Sequence, residues 1–283
     1  MRAAPMGIAR QSLKLLSAVW LATDERHIGV IAAGCAFYGL FAVFPGMAAT
    51  IAIWGLFSDP SVIQSYLDAI HGVIPDAAYT VLDAQLRTLL SARPGVLGWT
   101  TGASLLLALY SIHAGMAALI SALNAINGHR PRGAMRRMAG SVGMTIAILG
   151  LAISALATVL LVPVALNFLH IGRAEGMILK ILPWAVLILV LFVFLGMIYR
   201  WGPNMDAGTR YAWMTPGSVL AVILWALCSI AFSVYLGNFG SYNRIYGSIG
   251  AVIALLMWFY ISAYIVLLGA VLNAEYARLQ RFQ

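Results

Sequence analysis

The chain has 283 residues, of which 62% are hydrophobic and only 9% charged. A soluble domain is about a quarter charged, so this composition excludes a soluble fold and requires a bilayer around most of the surface. The net charge of +8 is spread over short connections, which excludes a basic nucleic-acid-binding module and leaves the cations to set topology.

Residues 8–22, "IARQSLKLLSAVWLA", place Leu13, Leu16 and Trp20 on one helical face, with Arg10 and Lys14 beside it. That pattern predicts a helix lying on the membrane surface. The segment 1–26 is too charged for a cleaved leader. "TDERH" at 23–27 reads as an N-cap at Thr23 followed by first-turn acids, so a new helix is expected to start there.

Residues 28–57 are the first long apolar run. As a helix it would be roughly 45 Å long against a hydrocarbon core of about 30 Å. It is expected to tilt, kink or break, with Pro45-Gly46 the natural place. One kinked span and two half-helices both fit.

Residues 60–91 alternate apolar positions at helical spacing with Asp68, Asp76, Asp83 and Arg87. Two amphipathic helices outside the bilayer core are expected. Further spans are expected at 96–123, 138–162, 181–199, 213–236 and 247–272. Gly150, Ser154 and Thr158 form a small-residue stripe suited to close helix approach. Both cysteines, Cys35 and Cys228, fall inside apolar runs, without the spacing of a disulfide framework or a zinc site.

Lysine and arginine alternate between connections. Twelve of the 17 fall in residues 1–26, 128–137, 200–210 and the tail. That asymmetry predicts six spans with both termini in the cytoplasm. The whole chain is expected to be one all-α polytopic domain with no internal repeat.

Four strings then stand out: "AFYGLFAVFPG" (36–46), "LISALNAINGHRP" (119–131), "MIYRWGPN" (197–204), and the run from Thr215 to Arg278 ending "GAVLNAEYAR". Together they resemble the YihY/BrkB family of bacterial inner-membrane proteins over nearly the whole chain. The resemblance implies a six-helix membrane fold in the inner membrane and no settled activity. Family members have carried ribonuclease BN, virulence-factor and serum-resistance labels, and transport-like and lipid-handling roles have been suggested. The family's usual "GAE" string would put an acid where Val271 stands, and Glu275 follows one helical turn later.

The residues argue against a nuclease. Metal-dependent cleavage needs clustered His, Asp and Glu ligands, whereas His27, His71, His113, His129 and His170 are scattered. No cofactor and no metal are expected. His113 is a titratable group deep in a span, read either as a packed, hydrogen-bonded histidine or as a proton relay. Asn124 and Asn127 read as C-caps, and Tyr199, Pro203 and Asn204 as a helix stop with an interface tyrosine. Asn273 and Glu275 read as a solvated helix end, or as a gate contact with Arg200 or Arg26.

The remaining polar groups suggest a cavity. Tyr38 lies two turns before Pro45, and "YLGNFGSYNRIYGSIG" (235–250) brings Tyr242, Asn243, Arg244 and Tyr246 between glycines. Non-helical backbone at membrane depth needs protein or water around it. The expected cavity residues are Tyr38, Pro45, His113, Tyr242, Asn243, Arg244 and Tyr246. The expected hinge and gate positions are Gly240, Gly247, Asn124, Asn204 and Glu275. Two functions follow: transport of a lipid or a small neutral or zwitterionic solute, or a non-transporting scaffold that docks envelope partners through 60–91. Membrane lipids are partners in either case. A homodimer fits the small-residue stripes as well as internal packing does.

Overall fold

The computed structural model describes residues 8–57, 94–130, 133, 135–136, 138–147, 150–151, 173–205, 210–237 and 248–281. The expected helices at 60–91 lie outside these residues, as does 152–162 of the third expected span. All regular structure among the described residues is helical. The helices are α1 (Ile8–Glu25), α2 (Ile28–Phe57), α3 (Pro94–Asn127), α4 (Met138–Ala147), α5 (Arg173–Trp201), α6 (Pro216–Gly237) and α7 (Ser248–Arg281).

Three described stretches are long and apolar enough to cross a membrane: Gly102–Asn127, Pro216–Tyr235 and Val252–Gln280. Leu13–Glu25 and Ile28–Val43 meet these criteria as a pair, bent by 60°. The break therefore lies at Arg26-His27 and not at Pro45. Through Pro45, α2 continues as one helix, which excludes two half-helices. Proline is tolerated inside membrane helices because local adjustment and neighbouring groups re-satisfy the freed carbonyl. His27 takes the turn with a φ of 50°. Its carbonyl accepts from the amides of Val30 (3.0 Å) and Ile31 (3.2 Å), so His27 opens α2. Thr23 does not cap α2: its hydroxyl donates 2.7 Å back to the Val19 carbonyl inside α1, which keeps the acids in the last turn of α1.

The chain forms two compact units. One comprises residues 1–32, 116–229 and 262–283; the other comprises 33–115 and 230–261. The core of the first is built from Leu123 and Ile126 of α3, Leu195, Ile198 and Tyr199 of α5, and Leu267 and Val271 of α7, all fully buried or nearly so. Their three- and four-residue spacing puts each set on one helix face. In the second unit, Gly39 of α2 faces the Phe259 ring of α7, and Phe232 of α6 stacks on Trp258 at 5.2 Å between ring centres. Ile223, Leu227, Ile230 and Val234 of α6 are exposed at helical spacing, the pattern of a lipid-facing stripe.

Helices in lipid gain little from the hydrophobic effect against one another, so close packing and hydrogen bonds must hold them. The first unit shows both. A Cβ on Gly217 of α6 would collide with the Gly269 carbonyl of α7, and one on Gly269 would strike the Tyr199 hydroxyl. These glycines carry the close approach among the described residues; Ser154 and Thr158 of the expected stripe lie outside those residues. Tyr199 is 2% exposed and donates 2.7 Å to the Val266 carbonyl. It is a core residue rather than an interface anchor, because α5 turns this face inward.

Candidate functional site

Two features of the first unit bear on function. The first is a polar seam where helix ends meet. Thr215 and Ser218 cap α6 reciprocally: the Ser218 amide donates to Thr215 Oγ1 at 3.1 Å, and the Thr215 amide donates to Ser218 Oγ at 2.9 Å. Pro216 fills the first helical position, where no amide hydrogen is needed. The string "TPGS" carries this signal in the sequence, and reading the stretch only as a span misses it. The Gly217 amide, left over by the helix start, donates 2.8 Å to Asn273 Oδ1 of α7. Asn273 is 2% exposed, so this bond is shielded from water.

Two turns of α3 join the seam. Asn124 accepts the Asn204 amide on Oδ1 at 2.6 Å, and Asn127 accepts the Tyr211 hydroxyl on Oδ1 at 2.6 Å. Both side chains also donate to the carbonyl four residues back, at 3.0 and 2.8 Å. Neither asparagine is the left-handed cap. Gly128 is, with a φ of 70°; its amide bonds the Ala125 carbonyl and the His129 amide bonds the Asn124 carbonyl. That pair of bonds is a Schellman closure, for which glycine carries no Cβ penalty. The asparagines are thereby released to tie α3 to the connection after α5.

Glu275 of α7 binds Arg26 at 2.9 Å and Arg278 at 3.0 Å, both through Oε1. The Arg26 and Glu275 side chains are 15% and 10% exposed, whereas Arg278 is half exposed. Arg200 instead donates 2.7 Å to the Tyr211 carbonyl. Of the two partners considered for Glu275, the structure pairs Arg26.

The second feature is a groove of about 440 Å³ beside the break between α1 and α2. Trp20, Asp24, His27, Gly29, Val30 and Tyr264 line it. Trp20 is 77% and Val30 73% exposed. The groove lining thus combines an acidic residue and a histidine with strongly exposed apolar residues.

Of the residues expected to line a cavity, the described ones, Tyr38, Pro45 and His113, are not in the lining of this groove. Tyr38 lies in the second unit, its Cβ 3.3 Å from where a Cβ on Gly115 would stand. His113, two residues earlier on α3, buries Nδ1 without a hydrogen-bond partner among the described residues. Tyr242, Asn243, Arg244 and Tyr246, with Gly240 and Gly247, lie outside the described residues. The groove was not legible in the sequence because Tyr264 and the α1–α2 break are far apart along the chain. Among the described residues, no group of three or more His, Cys, Asp or Glu side chains is arranged to hold a metal.

The sequence profile described as virulence factor BrkB matches residues 19–282. The putative ribonuclease-like protein YfkH of Bacillus subtilis strain 168 is 29% identical over 250 residues, 84% of this chain and 86% of that protein. A UPF0761 membrane protein of Xanthomonas oryzae pv. oryzae strain PXO99A is 45% identical over 86 residues, 30% of this chain and 20% of that protein. The UPF0761 membrane protein XAC0937 of Xanthomonas axonopodis pv. citri strain 306 is 45% identical over 84 residues, covering 30% and 19%. The matched stretch is thus about a fifth of the length of the UPF0761 relatives. No solved structure matches.

Proposed function

We propose that this chain, which belongs to the virulence factor BrkB family, moves a lipid or a small neutral or zwitterionic solute across the bacterial inner membrane. The proposal includes six spans with both termini in the cytoplasm, and no enzymatic activity. The observation that carries it is the groove of about 440 Å³ at the α1–α2 break, whose lining includes both polar and strongly exposed apolar residues. A packed scaffold has no need of a groove with both polar and apolar walls. The seam held by Asn124, Asn204 and Glu275 would act as the gate beside it. Tyr38, Pro45, His113, Tyr242, Asn243, Arg244 and Tyr246 would line the path, with Gly240 and Gly247 as hinges.

The test is flux in proteoliposomes, with fluorescent lipids of several headgroups and with trapped osmolytes. Protein-dependent flux above that of empty vesicles is expected. Substituting Tyr242 and Asn243 by alanine should lower it without loss of folded protein. Flux equal to that of empty vesicles for every lipid and osmolyte overturns the transport reading and favours the scaffold.

A further inference from the structure

The transport reading leaves open what the groove recognises, and the inference here rests on that reading. We propose that the groove at the α1–α2 break seats the ammonium end of a zwitterionic phospholipid headgroup, with Asp24 as counter-ion and Trp20 and Tyr264 as aromatic walls.

Charge complementarity argues for this occupant. Asp24 lines the groove, and its carboxylate has no ion-pair partner among the described residues. The nearest guanidinium in sequence, Arg26, is already engaged by Glu275 at 2.9 Å. The groove lining therefore includes a carboxylate without an ion-pair partner among the described residues, together with two aromatic residues. That combination attracts a primary or quaternary ammonium through a charged contact and through the ring faces. An anionic headgroup with no ammonium would meet the carboxylate with like charge. His27, held at the break by its left-handed backbone, is also in the groove lining, and in this proposal its ring would donate to the phosphate.

The rim argues for a lipid rather than a free amine. Trp20, Leu21 and Val30 are all strongly exposed. Trp20 and Val30 belong to the groove wall itself. Apolar side chains so placed would receive the first methylenes of acyl chains. A small soluble amine would leave them in water.

The test uses the purified full chain in a neutral maltoside detergent. Short-chain phosphatidylethanolamine, phosphatidylcholine and phosphatidylglycerol are offered at equal concentration, and retention is read by native mass spectrometry. One exposed charged contact plus one aromatic contact should favour the two zwitterionic lipids by about fivefold to tenfold. Asp24→Asn and Trp20→Ala should abolish most of that preference. Glu25→Gln, on a neighbouring acid outside the groove wall, should keep it.

Equal retention of all three lipids, or a preference for phosphatidylglycerol, overturns the proposal. So does loss of preference in Glu25→Gln, because the effect would then be general surface charge. Glycerophosphoethanolamine, which has no acyl chains, should compete poorly; competition equal to that of the lipid overturns the lipid assignment. Failure here is separable from failure of the transport reading. Flux without headgroup preference removes the groove assignment alone, and preference without flux removes transport alone.

Discussion

Arg26 Nη2 and Glu275 Oε1 stand 2.9 Å apart across 249 residues of sequence. The pair fixes the end of α1 to α7 at a point where both side chains are largely withdrawn from solvent. Arg278 shares the same carboxylate oxygen from its more exposed position. The two cations are therefore not equivalent, and neither are their losses.

Glu275→Leu should be the more damaging change, because it strands the buried Arg26 guanidinium. Removing one member of a buried pair costs about 3–5 kcal/mol. Arg26→Met should cost less, since Arg278 still compensates Glu275. Thermal melting in detergent, followed by size-exclusion recovery, checks the order. Equal losses would mean that the pair is effectively solvated.

Gly217→Ala and Gly269→Ala should each abolish folded protein or lower melting sharply. Overpacking costs about 1–3 kcal/mol even where neighbours can shift, and here the obstacle is the opposing helix backbone. Gly102→Ala meets nothing within 4 Å and should be neutral or slightly stabilising, by up to about 1 kcal/mol from helix propensity. Similar melting for all three variants would refute the close α6–α7 contact.

Tyr199→Phe should cost little, about 0.6 kcal/mol and no more than about 1.7. The Val266 carbonyl lies within α7 and keeps its helical partner. The variant should also soften Gly269→Ala, because a Cβ there strikes the lost hydroxyl. A double-mutant cycle measures this coupling; strict additivity would contradict it.

Thr215→Ala removes the side-chain acceptor for the Ser218 amide and should cost about 1 kcal/mol, whereas Thr215→Asp should retain most of it. His27→Val should be worse than His27→Gly. A β-branched residue resists the positive φ that His27 adopts, and glycine accepts it freely. Melting curves of the four variants decide both points.

Much of the helical plan is legible in the sequence, because long apolar runs have few alternatives in a bilayer. The run at 28–57 is a helix, that at 213–236 matches α6 to within three residues, and that at 247–272 starts with α7, which runs on to Arg281. Local punctuation is harder to read. Proline at 45 suggests a break, yet the helix runs through it, while the actual break falls at a histidine with ordinary turn propensity. Thr23 suggests a cap, yet a threonine hydroxyl satisfies itself equally well on the carbonyl four residues back. Asn124 and Asn127 suggest caps because asparagine tolerates a left-handed turn, but Gly128 stands next in line and takes that role. In each case two local solutions are nearly equal in energy, and partners distant in sequence decide between them. The same holds for Tyr199, whose burial depends on a glycine 70 positions away (Gly269).

The separation of 249 residues between Arg26 and Glu275 also sets an order of events during synthesis. Chains emerge with their N-terminal parts first, so α1 exists long before α7 supplies its carboxylate. During that interval the Arg26 guanidinium has no Glu275 to neutralise it, and Leu13, Leu16 and Trp20 present an apolar face that stays exposed even in the folded chain. An amphipathic helix with a bare apolar face flanked by Arg10 and Lys14 binds a membrane surface on its own. The lipid surface would thus shelter α1 early, and the Arg26–Glu275 pair would close as one of the last long-range contacts. A chain lacking Glu275 would be expected to insert normally and to fail at this final clasp.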